Sequence, residues 1–104
     1  MFSRHLRMII ALHALGPTAN DVADSLDNGG WHGIPGDAGA CPIANYLTEV
    51  VPDTRGAAVS ASGATVFHLD GHATETVMPV GAADFITRFD DGEFPYLVDH
   101  AEPE

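Results

Sequence analysis

The length of this chain, 104 residues, predicts one domain, because two domains would each be too small to hold a core. Fifteen acidic residues face only four arginines and no lysine, and the formal net charge of −11 argues against binding to nucleic acid or to anionic lipid. The single cysteine, Cys41, excludes an internal disulfide and fits a reducing cytoplasm, and no apolar run is long enough to span a membrane.

Two helices are predicted in the first third of the chain. Apolar side chains recur at helical spacing over about residues 3–15 and predict a first helix, which Gly16-Pro17 ends. The predicted core-facing stripe of this helix consists of Phe2, Leu6, Ile9, Ile10 and His13. Thr18 is placed to cap a second helix that ends at Asn28-Gly29, and the glycine-rich run over residues 30–39 is expected to form an ordered loop.

A third helix and three strands are predicted in the middle of the chain. Pro42 suits the first position of a helix with one apolar face, and Pro52 ends that helix. The apolar face consists of Ile43, Tyr46, Leu47, Val50 and Val51. Three strand candidates follow, at about residues 57–61, 64–69 and 72–78. Ser62-Gly63 and Asp70-Gly71 suit two-residue hairpin turns, so the strands are expected to form an antiparallel meander.

The last helix is predicted over about residues 82–90, where one apolar face is present, and Gly92 closes it. Residues 94–98 are expected to run extended along the core, and residues 99–104 to form a disordered acidic tail. Helices and strands are segregated along the chain, which predicts an α+β fold. We expect a small single domain over residues 1–98, with helices packed on a three-stranded antiparallel β-meander and a C-terminal helix.

The one candidate nucleophile is Cys41, which directly precedes Pro42 at the start of the third helix. Free N–H groups and the helix dipole would stabilise a thiolate there, whereas nearby carboxylates would raise the thiol pKa. His32 could act as the base and Asp37 could orient it, if the fold brings the three together. A thiol enzyme is therefore one hypothesis. A buried structural cysteine is favoured, because there is no second cysteine and Leu47 stands where a phosphatase loop needs arginine.

The six histidines predict no metal site. A two-residue turn at Asp70-Gly71 would set His68 opposite Ala73 and direct His68 and His72 to opposite faces of the sheet. The acidic run over residues 90–93 lacks the alternating ligands of an EF-hand. No phosphate-binding loop, dinucleotide fingerprint or nucleophile-elbow pattern occurs in the sequence. We therefore expect neither a metal nor a cofactor, and a protein that is not an enzyme is favoured.

Two segments resemble parts of known sequences: GDAGACPIANYL at residues 36–47 and FITRFDDGEFPYL at residues 85–97. They are similar to segments of short proteins encoded by actinobacteria and their phages. In those proteins a small-residue loop leads into a Cys-Pro-x-Ala-x-Tyr-Leu helix, and an Arg-Phe-Asp-x-Gly segment lies near the C-terminus. The resemblance implies a small intracellular accessory protein, of bacterial or phage origin. No activity is assigned to that group, so no site residue follows from it.

The leading functional hypothesis is protein–protein binding, because no catalytic set is visible and a compact acidic surface suits a basic partner. The contact would combine carboxylates with exposed aromatic rings, and its predicted residues are Trp31, Asp90, Asp91, Glu93, Phe94 and Tyr96. In the alternative interpretation the three aromatic side chains fill the core. A nucleic-acid mimic would need its acidic residues in one stripe, whereas here they are scattered along the chain. The oligomeric state is left open.

Overall fold

The computed structural model describes residues 4–98, which form four α-helices and one three-stranded sheet. In chain order the elements are α1 (Arg4–His13), α2 (Ala19–Gly29), α3 (Pro42–Val50), β1 (Thr54–Ser60), β2 (Gly63–His68), β3 (Ala73–Thr76), α4 (Val80–Asp90) and a 3-10 helix (Pro95–Leu97). The α+β fold, the antiparallel meander and the C-terminal helix predicted from the sequence are confirmed. The predicted tail over residues 99–104 lies outside the described residues.

The three strands lie side by side in sequence order, and each neighbouring pair is antiparallel. Burial alternates along β1 and β2, so one face of the sheet packs inward and the other faces solvent. The inward-facing residues of these two strands are Ala57, Val59, Ala64, Val66 and His68. Because Ser60 pairs with Gly63, the first hairpin turn is Ala61-Ser62, and the predicted turn at Ser62-Gly63 was one residue too late.

The second hairpin turn contains three residues instead of the predicted two. The turn consists of Leu69, Asp70 and Gly71. The N–H of His68 donates to the carbonyl of His72 at 2.8 Å, which makes the two histidines a cross-strand pair. Arg4 donates to the Asp70 carboxylate at 2.8 Å, and the His72 N–H donates to it at 2.9 Å. These two donors hold the pKa of Asp70 well below its usual range and join α1 to the turn.

The buried face of α1 differs from the predicted one. Leu6 and Ile10 are 39% and 50% exposed, and His13 is exposed as well. The residues that enter the core from this part of the chain are Met8, Leu12 and Leu15. Both sets recur at helical spacing, so the spacing alone fits either face. The prediction chose the wrong face of the helix. Phe2, the first residue of the predicted core-facing stripe, lies outside the described residues.

The second and fourth helices agree closely with the prediction. The Thr18 hydroxyl accepts the Asp21 N–H at 3.1 Å and caps the start of α2, and Gly30 caps its end in a left-handed conformation. The buried residues of α4 include all four predicted members of its apolar face, which are Ala82, Phe85, Ile86 and Phe89. The two helices pack against each other, and α2 also contacts the 3-10 helix that follows α4.

The glycine-rich loop between α2 and α3 is held in place by hydrogen bonds at several points. The Gly33 N–H donates to the Leu97 carbonyl at 2.9 Å, and Gly33 forms a parallel bridge with Val98. A Cβ atom on Gly33 would collide with backbone atoms of residues 40–42, so only glycine fits there. The Gly36 N–H donates to the Asp90 carboxylate at 2.8 Å. The loop is therefore bonded both to the end of α4, at Asp90, and to the end of the 3-10 helix, at Leu97 and Val98.

Candidate protein-binding surface

The segment after α4 packs on the core as predicted, but it forms a turn and a 3-10 helix instead of the predicted extended conformation. Phe94 has a left-handed backbone conformation with a φ of +58°, which is uncommon for a bulky residue, and the 3-10 helix begins directly after it. The half-buried Phe94 ring stacks on Phe85 with the ring centroids 5.2 Å apart, and Leu97 is fully buried. Tyr96 keeps 49% of its surface exposed. The turn therefore packs Phe94 and Leu97 against the core and presents Tyr96 to solvent.

The 3-10 helix that carries Tyr96 contacts α2, which carries Asp24 and Asp27. Partial burial, together with the negative charges of Asp24 and Asp27, raises the pKa of Tyr96 above its ordinary value of 10.0. Both aspartates are exposed. The Tyr96 ring meets Phe94 edge to face at a centroid distance of 6.3 Å, which fixes the tyrosine on that side. We refer to Asp24, Asp27, Phe94 and Tyr96 as the Tyr96 surface.

Sequence reasoning included Phe94 and Tyr96 in the predicted contact but missed the two aspartates. The signal that could have found them is the three-residue spacing of Asp21, Asp24 and Asp27, which places acidic side chains along the solvent side of α2. That spacing does not say which other segment lies beside them. Only the fold of residues 94–98 supplies that information.

Trp31, the third aromatic residue of the predicted contact, packs largely at the edge of the core. Its ring is half-buried and meets Tyr46 edge to face at a centroid distance of 5.9 Å. The backbone N–H of Trp31 donates to the Leu26 carbonyl at 2.9 Å, directly after α2. The Tyr46 hydroxyl in turn donates to the Ala11 carbonyl at 2.7 Å. Trp31 therefore joins the end of α2 to Tyr46 of α3, and Tyr46 joins α3 to α1.

The three predicted acidic residues at the end of α4 differ from one another in their surroundings. Asp90 accepts the N–H of Gly36 and so holds the glycine-rich loop against α4. Asp91 caps the C-terminus of α4, where its backbone N–H donates to the carbonyls of Thr87 and Arg88. Asp91 and Glu93 are exposed, and within residues 4–98 neither side chain forms an ion pair. These two remain available to a partner, whereas Asp90 is already engaged.

Cys41 caps α3 from a buried position. Its Sγ accepts the Ala44 N–H at 3.4 Å, and the residue is only 2% exposed. Burial raises the pKa of the Cys41 thiol to about 11, and the nearby charge of Asp90 contributes in the same direction. The N–H groups of Ala44 and Ile43 lower the pKa, but by less than burial raises it. The helix N-terminus therefore does not produce a thiolate at neutral pH.

The other two residues of the hypothetical thiol site are placed differently. Asp37 and Cys41 both line a small cleft of about 180 Å³ between the glycine-rich loop, β1 and α4. His32 does not line this cleft, and within residues 4–98 its imidazole has no hydrogen bond to Cys41 or Asp37. The Asp37 carboxylate instead accepts the N–H of Gly39 at 3.0 Å, a local loop contact. The cleft thus brings Cys41 and Asp37 to the same place, whereas His32, the proposed base, is not part of it.

The two histidines of the second hairpin lie opposite each other, but one is buried and the other is exposed. His68 is fully buried, its Nε2 is 2.6 Å from the Thr74 hydroxyl, and its Nδ1 has no partner. His72 is exposed and lies beside Asp70. The expectation that the pair faces opposite sides of the sheet was wrong, because the turn is one residue longer. Among residues 4–98 no three histidine, cysteine or carboxylate side chains lie close enough to hold a metal ion.

Comparisons of the chain with protein-family models, with curated proteins and with solved structures gave no match. Within the described part of the chain, every helix is too short or too polar to cross a membrane.

Proposed function

We propose that this protein acts by binding a basic protein partner through the Tyr96 surface, as a small accessory protein that regulates or inhibits that partner. The observation that supports the proposal is the half-exposed Tyr96 ring on a 3-10 helix that packs against α2, whose exposed carboxylates Asp24 and Asp27 act electrostatically on Tyr96. The proposal includes a cytoplasmic setting, which is supported by the free, buried thiol of Cys41. It also includes the accessory role implied by the resemblance to actinobacterial and phage proteins.

An aromatic ring beside two carboxylates is suited to arginine or lysine. A guanidinium group can stack on the tyrosine face while it donates hydrogen bonds to the carboxylates. Within residues 4–98 neither Asp24 nor Asp27 has an ion-pair partner, so a partner's cation would not have to displace one of this chain's own arginines. The formal net charge of −11 would also accelerate association with a basic protein, since long-range attraction raises the rate of encounter.

The test is a quantitative pull-down from a lysate of cells that express the protein, with the purified chain immobilised. Wild type is compared with Tyr96→Ala and with the double variant Asp24→Asn/Asp27→Asn. The matched control is Glu49→Gln/Asp53→Asn, which changes the net charge equally at two exposed positions on other elements. Asn tolerates the left-handed conformation that Asp53 adopts, with a φ of 59°, so the control is expected to fold normally.

The proposal predicts one stoichiometric partner that is released by salt. Asp24→Asn/Asp27→Asn should weaken its binding about 2- to 30-fold, if each exposed pair contributes about 0.2–1 kcal/mol. Tyr96→Ala should weaken it at least about fivefold, as expected of an aromatic contact residue. The control should bind like wild type. Equal losses in the control and in the Asp24/Asp27 variant would show that only net charge matters, and a blank lane at low salt would refute binding itself.

A further inference from the structure

The free edge of the sheet is formed by β3, the outermost strand. The hydrogen bond between His68 and His72 fixes which backbone groups of β3 face β2, because the pattern alternates along an antiparallel ladder. The N–H and C=O groups of Thr74 and Thr76 therefore point towards β2. The N–H and C=O groups of Ala73 and Glu75 point away from the sheet, and among residues 4–98 no other group hydrogen-bonds to them or to Val77, which directly follows the strand.

This edge is open to solvent, unlike the edge formed by β1. The two outward-facing residues of β3, Ala73 and Glu75, are exposed, and Val77 directly after the strand is 77% exposed. At the opposite edge the N–H of Val59 donates to the Ala38 carbonyl at 2.9 Å, so the glycine-rich loop covers part of β1. Natural sheets usually protect an edge strand by a cover or a charge. β1 has the cover, whereas β3 has one charged residue, Glu75.

An apolar cleft of about 390 Å³ adjoins the end of β3. It lies between α1 and the connection from β3 to α4, and its apolar lining includes Ile9, Leu12, Val77, Met78 and Val80. Val80 is 85% exposed, the most exposed large apolar residue of the described chain. A segment lying along β3 would cover Val77 and could place an apolar side chain in this cleft.

Glu75 selects the kind of segment that can pair here. In the solvent-facing row of the sheet it stands next to Thr65 and Ala58, and within residues 4–98 it has no ion-pair partner. A second copy of this chain, paired antiparallel about Glu75, would set two carboxylates directly opposite each other, which is destabilising. A cation opposite Glu75 would be favourable instead.

We propose that the free edge of β3 binds an extended segment of a partner protein, which adds a fourth strand and places arginine or lysine opposite Glu75. Backbone hydrogen bonds to Ala73, Glu75 and Val77 would supply the pairing, and the cation and the apolar cleft would supply the selectivity. This surface is built from elements other than those of the Tyr96 surface, so it goes beyond the function proposed above.

The test uses synthetic peptides and the full-length, isotopically labelled protein. The first peptide is capped and alternates threonine and valine around one central arginine. In the second peptide glutamate replaces that arginine, and in the third the amides that would face β3 are N-methylated. Chemical shifts and hydrogen exchange of the amides of residues 73, 75 and 77 are followed during titration to millimolar peptide. Glu75→Gln is titrated in parallel, since it keeps the backbone and removes only the charge.

The proposal predicts that the arginine peptide shifts these three amides and slows their exchange. The glutamate peptide should bind about 2- to 30-fold more weakly, and Glu75→Gln should remove most of that difference. The N-methylated peptide should not bind, while Asp24→Asn/Asp27→Asn should bind the arginine peptide like wild type. Unchanged amides at millimolar arginine peptide, or equal binding of the N-methylated peptide, would overturn the proposal and leave the Tyr96 surface untouched.

Discussion

The thiol of Cys41 should resist alkylation in the folded protein. At pH 9.0 a thiol with the ordinary pKa of 9.0 is half ionised, whereas a thiol with a pKa of about 11 is about 1% thiolate. Because the thiolate is the reacting species, the native protein should react with iodoacetamide about 50-fold more slowly than the urea-unfolded protein at this pH. Burial to 2% exposure should slow the reaction further.

The same pKa shift predicts how stability depends on pH. The folded state holds the Cys41 proton more tightly than the unfolded state does, so this stabilisation is complete below pH 9.0 and is lost as the pH rises towards 11. The shift of two pKa units corresponds to about 2–3 kcal/mol. Between pH 9 and pH 11 the free energy of unfolding of wild type should fall by this amount more than that of Cys41→Ser. The comparison isolates the thiol, because the tyrosines titrate in the same pH range in both proteins.

Alkylation is measured by mass spectrometry against pH, on native and on unfolded protein. A native rate equal to the unfolded rate at pH 9.0 would show that the thiol is accessible and ionised. The burial argument would then fail, and the thiol-enzyme hypothesis with His32 and Asp37 would return.

Two further predictions concern the packing that positions the proposed surfaces. Gly33→Ala should lower the free energy of unfolding by at least about 3 kcal/mol in urea titrations, because the new Cβ collides with backbone that cannot move aside. Gly56→Ala, which points into open space, should leave it unchanged or raise it by up to about 1 kcal/mol. Equal effects of the two variants would contradict the close approach at Gly33. Thr74→Val should cost about 1–3 kcal/mol, because it removes the partner of a buried His68 nitrogen whose ring already has one unpaired nitrogen. Thr76→Val, whose hydroxyl has no hydrogen bond within residues 4–98, should change stability by less than about 0.5 kcal/mol, and a similar loss in both variants would refute the role of the Thr74 hydroxyl.

The sequence predicted α4 and its buried face because only one side of that helix is apolar. Phe85 and Phe89 lie on the core side, whereas Asp84 and Arg88 pair with each other in solvent. α1 offered no such contrast, since apolar residues occupy two neighbouring stripes of it. Which stripe is buried depends on the position of the sheet and of α3, and periodicity within one helix does not contain that information.

The predicted turns of the two hairpins were each wrong by one residue, for the same physical reason. A two-residue turn was assigned wherever glycine suited one, but register is set by pairing along the whole strand. In the first hairpin the glycine, Gly63, belongs to the strand, and in the second Leu69 joins the turn. The second error also produced the wrong argument about His68 and His72.

The Tyr96 surface could be predicted only in part. The aromatic residues were identified from their sequence context, but their link to Asp24 and Asp27 depends on the turn that begins at Phe94. That turn requires a left-handed backbone conformation at Phe94, which is uncommon for a bulky residue. In the folded protein the Phe94 ring stacks on Phe85, and this tertiary contact is not visible in the local sequence. The structure therefore adds the acidic half of the surface.

The most direct test of binding through the Tyr96 surface is site-specific photo-crosslinking in living cells. A photoreactive phenylalanine analogue replaces Tyr96 in one variant and Leu69 in the other, a residue that is 67% exposed on the second hairpin. We expect position 96 to crosslink to one basic protein, position 69 not to do so, and Asp24→Asn/Asp27→Asn to lower the yield of the product. No crosslink from position 96, or the same products from both positions, would contradict the proposed surface.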